Sequence, residues 1–454
     1  MAQARDPAGA RPFRRATACA PPACAATAPP APVADRPVGF GTLLRTNADV
    51  RRLWGGTVVS LFGDWFNTLA LYRLVLDLTG SETALGGVFL TKLLPLALAS
   101  PIAGVLADRL DRRRLMIGAD LVRAAIVLGF LFVDDAGDLW LLYVLASAQI
   151  AVSAAFTPAK NAVLPILARP GELLTANALL SATWSVMLAV GAAAGGPVVD
   201  AFGTDVVFWL DAGTYLVSAL FLARIRLPAR TPETPDRRGQ GGVVRAGLRQ
   251  IADGWRYLRA VPPVGRIALA KAAWGIGGGG LILVLALLGD RLFPSAGTTG
   301  IGLLFAARGL GTGLGPVLAR AAFHDARRWP AVLGGCLVAS GLGYAGVALA
   351  GDVRWAVFAL VLFAHAASGA NWVLSTTLLQ ERAADAFRGR VFATDWLLVT
   401  LVESASILAT GALLERGAPL APVVLGLAAL QVVAGVVWWA TVVPAEARAR
   451  SQAA

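Results

Sequence analysis

The chain has 454 residues, of which 57% are hydrophobic and only 15% charged, with a mean hydropathy of +0.66. Soluble domains carry roughly 25% charged residues, so the several soluble domains that this length would allow are excluded in favour of one polytopic membrane domain. The net charge of +12 does not indicate a nucleic-acid partner, because the arginines gather in alternate loops instead of along one face.

In chain order, residues 1–38 are rich in Ala, Pro and Arg and lack the continuous apolar core of a signal peptide. They read as a disordered cytoplasmic tail. Twelve apolar stretches follow, each long enough to cross a hydrocarbon core of about 30 Å as a helix. They are 52–77, 83–107, 114–133, 139–165, 173–200, 205–226, 264–289, 298–320, 329–349, 354–380, 391–414 and 420–443. The longest break, 227–262, divides them into an N-terminal six-helix bundle (39–226) and a C-terminal one (263–444), with a second cytoplasmic tail at 445–454. The expected fold class is an all-α membrane protein of twelve transmembrane helices in two bundles.

Arginine bias sets the orientation. Arg109, Arg112, Arg113 and Arg114 share one loop, Arg320, Arg327 and Arg328 another, and Arg382, Arg388 and Arg390 a third, while 227–262 holds seven more from Arg230 to Arg259. Loops of opposite parity carry Asp134, Asp135, Asp138, Asp200 and Asp205. Positive-inside then places both termini and the linker in the cytoplasm. Within the linker, Val243, Val244, Leu248, Ile251, Trp255, Leu258 and Val261 recur at helical spacing with arginines on much of the other face. This predicts an amphipathic helix on the inner leaflet, where anionic lipid attracts it. The three cysteines, Cys19, Cys24 and Cys336, and two histidines, His324 and His365, show no metal-ligand spacing, so neither a metal nor a cofactor is expected.

Gly104 to Arg114 reads Gly-Val-Leu-Ala-Asp-Arg-Leu-Asp-Arg-Arg-Arg between two apolar runs, and Gly315–Arg320 (Gly-Pro-Val-Leu-Ala-Arg) faintly repeats it in the second half. The pattern Gly-x-x-x-Asp-Arg-x-x-x-Arg-Arg resembles the loop between the second and third helices of major facilitator superfamily transporters. Gly63-Asp64-Trp65, Thr79-Gly80-Ser81, Asp120-Leu121-Val122-Arg123-Ala124, Pro158-Ala159-Lys160 with Leu164-Pro165, Ala176-Asn177-Ala178-Leu179 and Arg388-Gly389-Arg390-Val391 resemble its enterobactin-exporter-like and macrolide-efflux-like branch. There are departures. Asp111 stands where the loop often has glycine, and the fourth span lacks the arginine of the proton-linked motif. Gly191, Gly195, Gly196 and Pro197 only partly resemble the exporter motif of the fifth span, which here runs on to Asp200 and Ala201.

In that family the carboxylate equivalent to Asp108 faces the start of the eleventh helix, a favourable charge–dipole contact. The resemblance therefore makes Gly104, Asp108, Arg109, Arg113, Arg114, Arg388 and Arg390 a candidate gating loop; the alternative is that they only anchor topology. It also places spans 1, 4, 7 and 10 around a central cavity, with 2, 5, 8 and 11 beside it.

An ionisable group at mid-bilayer costs at least about 2.5 kcal/mol on insertion scales and wants a partner or a watery cavity. At about 1.5 Å per residue, Asp64 lies about 18 Å and Lys92 about 22 Å from the inner ends of their spans, close enough in depth to pair. Arg308, His365 and Glu403 fall near the midplane and Lys271 is shallower. Asp64, Glu403 and His365 are the proton-coupling candidates, since intramembrane Asp, Glu and His build proton relays; a static Asp64–Lys92 pair is the alternative for the first. Lys92, Lys271 and Arg308 suit an anionic substrate. Trp274 and Trp372, with Trp184 and Trp396, offer rings for a flat ligand. Asp120 and Arg123, at i,i+3, read as a structural pair.

No Gly-x-x-x-x-Gly-Lys-[Ser/Thr] loop occurs, so a gradient rather than ATP must drive transport. The expectation is a secondary transporter, not an enzyme, in a bacterial cytoplasmic membrane. It would be a monomer exporting a medium-sized organic molecule (a siderophore, antibiotic or other amphiphile) against protons. Proton-coupled uptake by the same fold and lipid flipping are the alternatives.

Overall fold

The computed structural model describes residues 38–227, 243–323 and 325–453; the expected tail up to residue 37 and the linker stretch 228–242 lie outside the described residues. Among those described there is no strand. The helices are α1 (Phe40–Thr46), α2 (Ala48–Thr79), α3 (Glu82–Arg109), α4 (Arg112–Leu128), α5 (Leu139–Leu167), α6 (Leu173–Ala223), α7 (Val243–Ala260), α8 (Pro262–Leu292), α9 (Thr298–Ala322), α10 (Trp329–Ala350), α11 (Arg354–Arg382), α12 (Asp385–Glu415) and α13 (Leu420–Ala453).

Local chemistry sets their ends. Asn47, Ser81 and Asp111 each accept a bond from the third backbone N–H beyond them, at 3.0, 3.1 and 2.8 Å, as N-caps do. Gly80, in the left-handed region at φ 61°, closes α2. The expected fifth and sixth spans emerge as the two arms of α6, 51 residues in all, broken at Gly203, whose φ of 80° and ψ of 172° no helix contains. Ten of the described helices, with α6 taken once, are long and apolar enough to cross a membrane. Long as it is, α2 falls below that threshold of hydropathy, because Asp64, Asn67 and Thr68 interrupt its apolar middle.

Helices α2 to α6 pack mainly among themselves, as do α8 to α13, and the two sets meet chiefly along α6 with α9 and α3 with α12. Apolar side chains gain nothing by leaving lipid, so close van der Waals approach at small residues holds such helices together. A methyl group added at Gly309 would meet the Ala189 backbone at 2.5 Å, and one at Gly302 the Ala192 carbonyl at 2.3 Å. Residues 277–280 of α8 are four consecutive glycines: Gly277 seats the Leu427 carbonyl of α13, and Gly279 the Glu403 carbonyl of α12. Accordingly 83% of the most apolar stretch of α8 is buried, against 28% for α13.

The linker carries a helix, α7, which docks on protein. It contacts α3, α8 and α12. Gly254 lies against the Arg390 carbonyl, Tyr257 stacks on Phe387 at 4.7 Å, and Asp253 pairs with Arg390 at 3.6 Å. Leu258 is buried, while Leu248 and Trp255 stay exposed. The segment from 445, expected as a cytoplasmic tail, is helical and continues α13 to Ala453. Ion pairs from Glu446 to Arg266 (2.9 Å) and Arg382 (2.7 Å) tie it down.

Gly279→Ala drives a methyl into a carbonyl 2.4 Å away. We expect it to cost about 1–3 kcal/mol of stability, read as a lowered thermal midpoint in detergent. Gly213→Ala, with nothing within 4 Å, is expected to leave the midpoint unchanged.

Candidate functional site

Five helices of the first set converge on one polar cluster. Asp64, Asn67 and Thr68 share a face of α2 at i, i+3, i+4, and Asp211, Thr214 and Tyr215 repeat that spacing after the break in α6. Lys92 comes from α3, Asp120 and Arg123 from α4, and Gln149 and Ser153 from α5. Gly63 makes the approach possible: a Cβ there would lie 2.2 Å from the Thr214 hydroxyl and 2.4 Å from the Asp211 carboxylate.

The Tyr215 hydroxyl donates a short bond to the Asp64 carboxylate and accepts one from Gln149 Nε2 at 2.9 Å. Asn67 Nδ2 donates to Asp211 at 2.8 Å. Arg123 makes a short pair with Asp120, as the spacing predicted, and lies 4.3 Å over the Tyr215 ring. Lys92 donates to Thr68 Oγ1 at 3.1 Å. Its ammonium lies in the field of both Asp64 and Asp211, and the Asp64 carboxylate is bonded by Tyr215. A further cation, Lys160, acts on Arg123. Asp120, Asp211 and Tyr215 are fully buried, and Asn67 Oδ1 and Gln149 Oε1 are buried without a partner among the described residues.

The second set holds two further groups. Arg308 of α9 exerts its charge on Glu403 of α12, His365 of α11 and Tyr344 of α10. The Tyr344 hydroxyl and His365 Nε2 are 2.8 Å apart, and Arg308 Nε and His365 Nδ1 have no partner. Tyr72 of α2 also lies within reach of that charge, and Tyr72 and Trp65 both contact the Phe305 ring of α9 (5.7 and 6.3 Å). Aromatic contact thus joins the two sets beside Arg308. The other group is an ion pair, Lys271 to Asp395 at 2.6 Å with both side chains buried. Trp372 lies 5.1 Å from the Lys271 ammonium and edge-on to Trp396 at 5.6 Å. Trp274 stands apart, buried against Gly278 with Nε1 unpartnered, and Trp184 is exposed.

Of the candidate gating residues, the side chains of Asp108 and Arg109 lie outside the described residues. Gly104 is in the last turns of α3. Arg113 donates a short bond to the Ala223 carbonyl of α6, Arg114 is exposed beside its Asp111 cap, and Arg390 pairs with α7. Arg388 lies in the first turn of α12. Asp211 and Asp395 were not singled out from sequence, although each is a lone carboxylate in an apolar run, the same signal that marks Asp64 and Glu403.

A family model described as the Major Facilitator Superfamily matches residues 53–407. The chain belongs to the major facilitator superfamily. Members of the superfamily are multi-pass membrane transporters, not enzymes. The uncharacterized MFS-type transporter YfiS of Bacillus subtilis is 28% identical over 397 residues, 82% of this chain and 88% of that protein. The candidate bacilysin exporter BacE of Bacillus amyloliquefaciens is 28% identical over 73% of this chain and 83% of its own length. Macrolide efflux protein A of Streptococcus pyogenes is 28% identical over 39% of this chain and 44% of its own. Among solved structures, a bacterial homologue of the human lysosomal transporter Spinster, inward-facing and occupied, superposes with a TM-score of 0.64 at 17% identity, covering 86% of this chain and 95% of that one. The POT family transporter PepTSo gives 0.67 at 12%, covering 89% and 99%. These last two share the fold.

Breaking a buried ion pair on one side costs about 3–5 kcal/mol, whereas replacing both partners with apolar groups is often neutral. Arg123→Met is expected to lower the thermal midpoint sharply in this major facilitator protein, and Asp120→Leu/Arg123→Met to recover part of the loss, as read by unfolding in detergent.

Proposed function

We propose that the protein is a proton-driven exporter of a medium-sized organic molecule, working by alternating access between two six-helix bundles. The twelve spans are α2 to α5, the two arms of α6 about Gly203, and α8 to α13. Arginine bias turns the Leu110 end of the molecule to the cytoplasm, with both termini, in the cytoplasmic membrane of a bacterium. One chain carries the whole path and works as a monomer.

The observation that carries this reading is the polar cluster in the first bundle, where Asp64 is bonded by Tyr215 and Asp211 by Asn67. Arg123 is matched to Asp120, and Lys92 bonds Thr68 beside them. Intramembrane carboxylates of this kind build proton relays, and this reading places the coupling proton on Asp64 or Asp211. Gaining or losing that proton changes the charge between α2, α3 and the second arm of α6, where the first bundle is knitted together. Glu403 and His365, under the charge of Arg308, form a second titratable group on the opposite bundle. Arg308 supplies a cationic surface and Trp372 an aromatic one for an amphiphilic or anionic substrate, while Lys271 is matched to Asp395 and Trp274 is buried; Asp108 with Arg109, Arg113, Arg114, Arg388 and Arg390 forms the cytoplasmic gate. Export is favoured over uptake by the relatives named for efflux of a macrolide and of bacilysin.

The test compares the host strain, a deletion strain and strains carrying Asp64→Asn or Asp211→Asn, with every small molecule quantified in cells and medium. We expect a compound to accumulate in the cells and fall in the medium in all three altered strains. A compound left unconsumed in the medium, with cell contents unchanged, would replace export by uptake.

A further inference from the structure

The Gly80 end of the molecule joins the two sets by contacts that recur with a two-fold pattern. Helix α9 has no side chain of its own at its cap: Gly297 occupies that place, at φ 50° and ψ −128°. The carboxylate of Asp200, from α6 in the opposite set, fills the role. It accepts from the backbone N–H groups of Thr298 and Thr299, both at 2.8 Å, and from the Thr299 hydroxyl at 2.7 Å. Only glycine fits beneath it, since a Cβ at Gly297 would sit 2.9 Å from Asp200 Oδ1. The counterpart is Glu415, the last residue of α12. It accepts from the Ser81 hydroxyl at 2.9 Å and from the Thr83 N–H at 3.1 Å, at the start of α3.

In the twelve-span count, Asp200 ends the fifth span and caps the eighth, while Glu415 ends the eleventh and caps the second. Spans five and eleven are the fifth members of their bundles, and two and eight the second members. The two contacts therefore correspond under the internal repeat. Each puts a carboxylate at the positive end of a helix dipole, where anions are stabilised. Two ion pairs, Arg73–Asp290 at 3.5 Å and Arg291–Glu82 at 3.1 Å, cross between the sets at the same end.

We propose that Asp200 and Glu415 are paired gate residues which hold the bundles together at the outer end of the transporter by capping helices in trans. That this end faces outward, and that the bundles rock, rests on the function proposed above; that the two caps join the sets does not. Because donors and carboxylate come from opposite sets, the caps exist only while the helix ends abut, and separation of the bundles breaks both at once. Both carboxylates are exposed, but Asp200 makes three bonds and Glu415 two, so Asp200 is the stronger latch.

Double electron–electron resonance on the full chain in lipid nanodiscs tests this. Cys19, Cys24 and Cys336 are replaced by alanine, and spin labels are placed at Asp134 and Asp352, on outer loops of the two bundles. A second labelled pair, Asp134 with Asp205, lies within one bundle and reports that it remains folded. Gly196→Trp serves as a wedge, since even a Cβ there would lie 2.6 Å from the Thr299 backbone. We expect one short distance for the unmodified seam and a longer one for the wedge. Asp200→Ala/Glu415→Ala is expected to raise the ratio of long to short distances several-fold, Asp200→Ala alone more than Glu415→Ala alone. Arg52→Ala, at the other end of α2, is expected to change nothing. A wedge that opens the seam while the double variant stays closed overturns the latch. If neither the wedge nor the double variant lengthens the distance, the rocking mechanism falls, and the latch with it.

Discussion

Everything else in this molecule depends on keeping ionisable groups matched where no water can reach them. A charge in hydrocarbon must find a partner within the protein. Here the partners come from different helices: Asp64 with Tyr215 of α6, Asp211 with Asn67 of α2, Lys271 of α8 with Asp395 of α12. Each such contact fixes the register of two spans against one another, which dispersion between Leu and Val surfaces does far less sharply. The α2–α6 contact shows how the constraint shapes sequence. Asp211 and Thr214 need room above α2, and the glycine at position 63 is what leaves it.

The same constraint separates a rigid part from a part able to move. Inside the first set the polar bonds run helix to helix through a dry core. Between the sets, the buried middle is joined by aromatic rings and glycine–backbone contacts along α6 and α9, which carry no charge and can be parted at modest cost. Among the described residues, the polar fastenings of the seam lie at its Gly80 end, where carboxylates meet helix ends and solvent can replace the bonds. Two bodies with wet, reversible fastenings and a dry, weakly polar contact between are suited to hinge.

Much of this was legible in the sequence. Span positions follow from apolar length, and the break at Gly203 falls between the expected fifth and sixth spans because Asp200, Gly203 and Asp205 interrupt the apolar run there. Asp120 with Arg123 was legible because a pair on one helix needs only spacing. What spacing does not show is rotation. Asp64 and Lys92 agree in depth, yet Lys92 bonds Thr68 and Asp64 accepts from Tyr215, because the facing side of the second α6 arm brings in a further partner. The match of Lys271 with Asp395, rather than a free cation awaiting an anion, depends on the same unknown. The amphipathic pattern of α7 was equally visible, but an apolar face docks on protein or on lipid with the same periodicity. Gly254 against Arg390, and Tyr257 on Phe387, decide in favour of protein for part of it.

In the proposed mechanism the two caps also determine how a change of charge in the core would be felt at the seam. Glu403 and Glu415, which bonds the start of α3, lie on one unbroken helix, 12 residues or about 18 Å apart. Asp211 and Asp200 share α6, but Gly203 lies between them, so their arms meet at a joint instead of a rod. On that proposal a tilt of α12 at Glu403 would pass directly to the α3 contact, whereas a shift of the second α6 arm would reach the α9 cap only as a bend at Gly203. The two sets are alike in plan and unlike in linkage: α12 is built as a lever and α6 as a hinge.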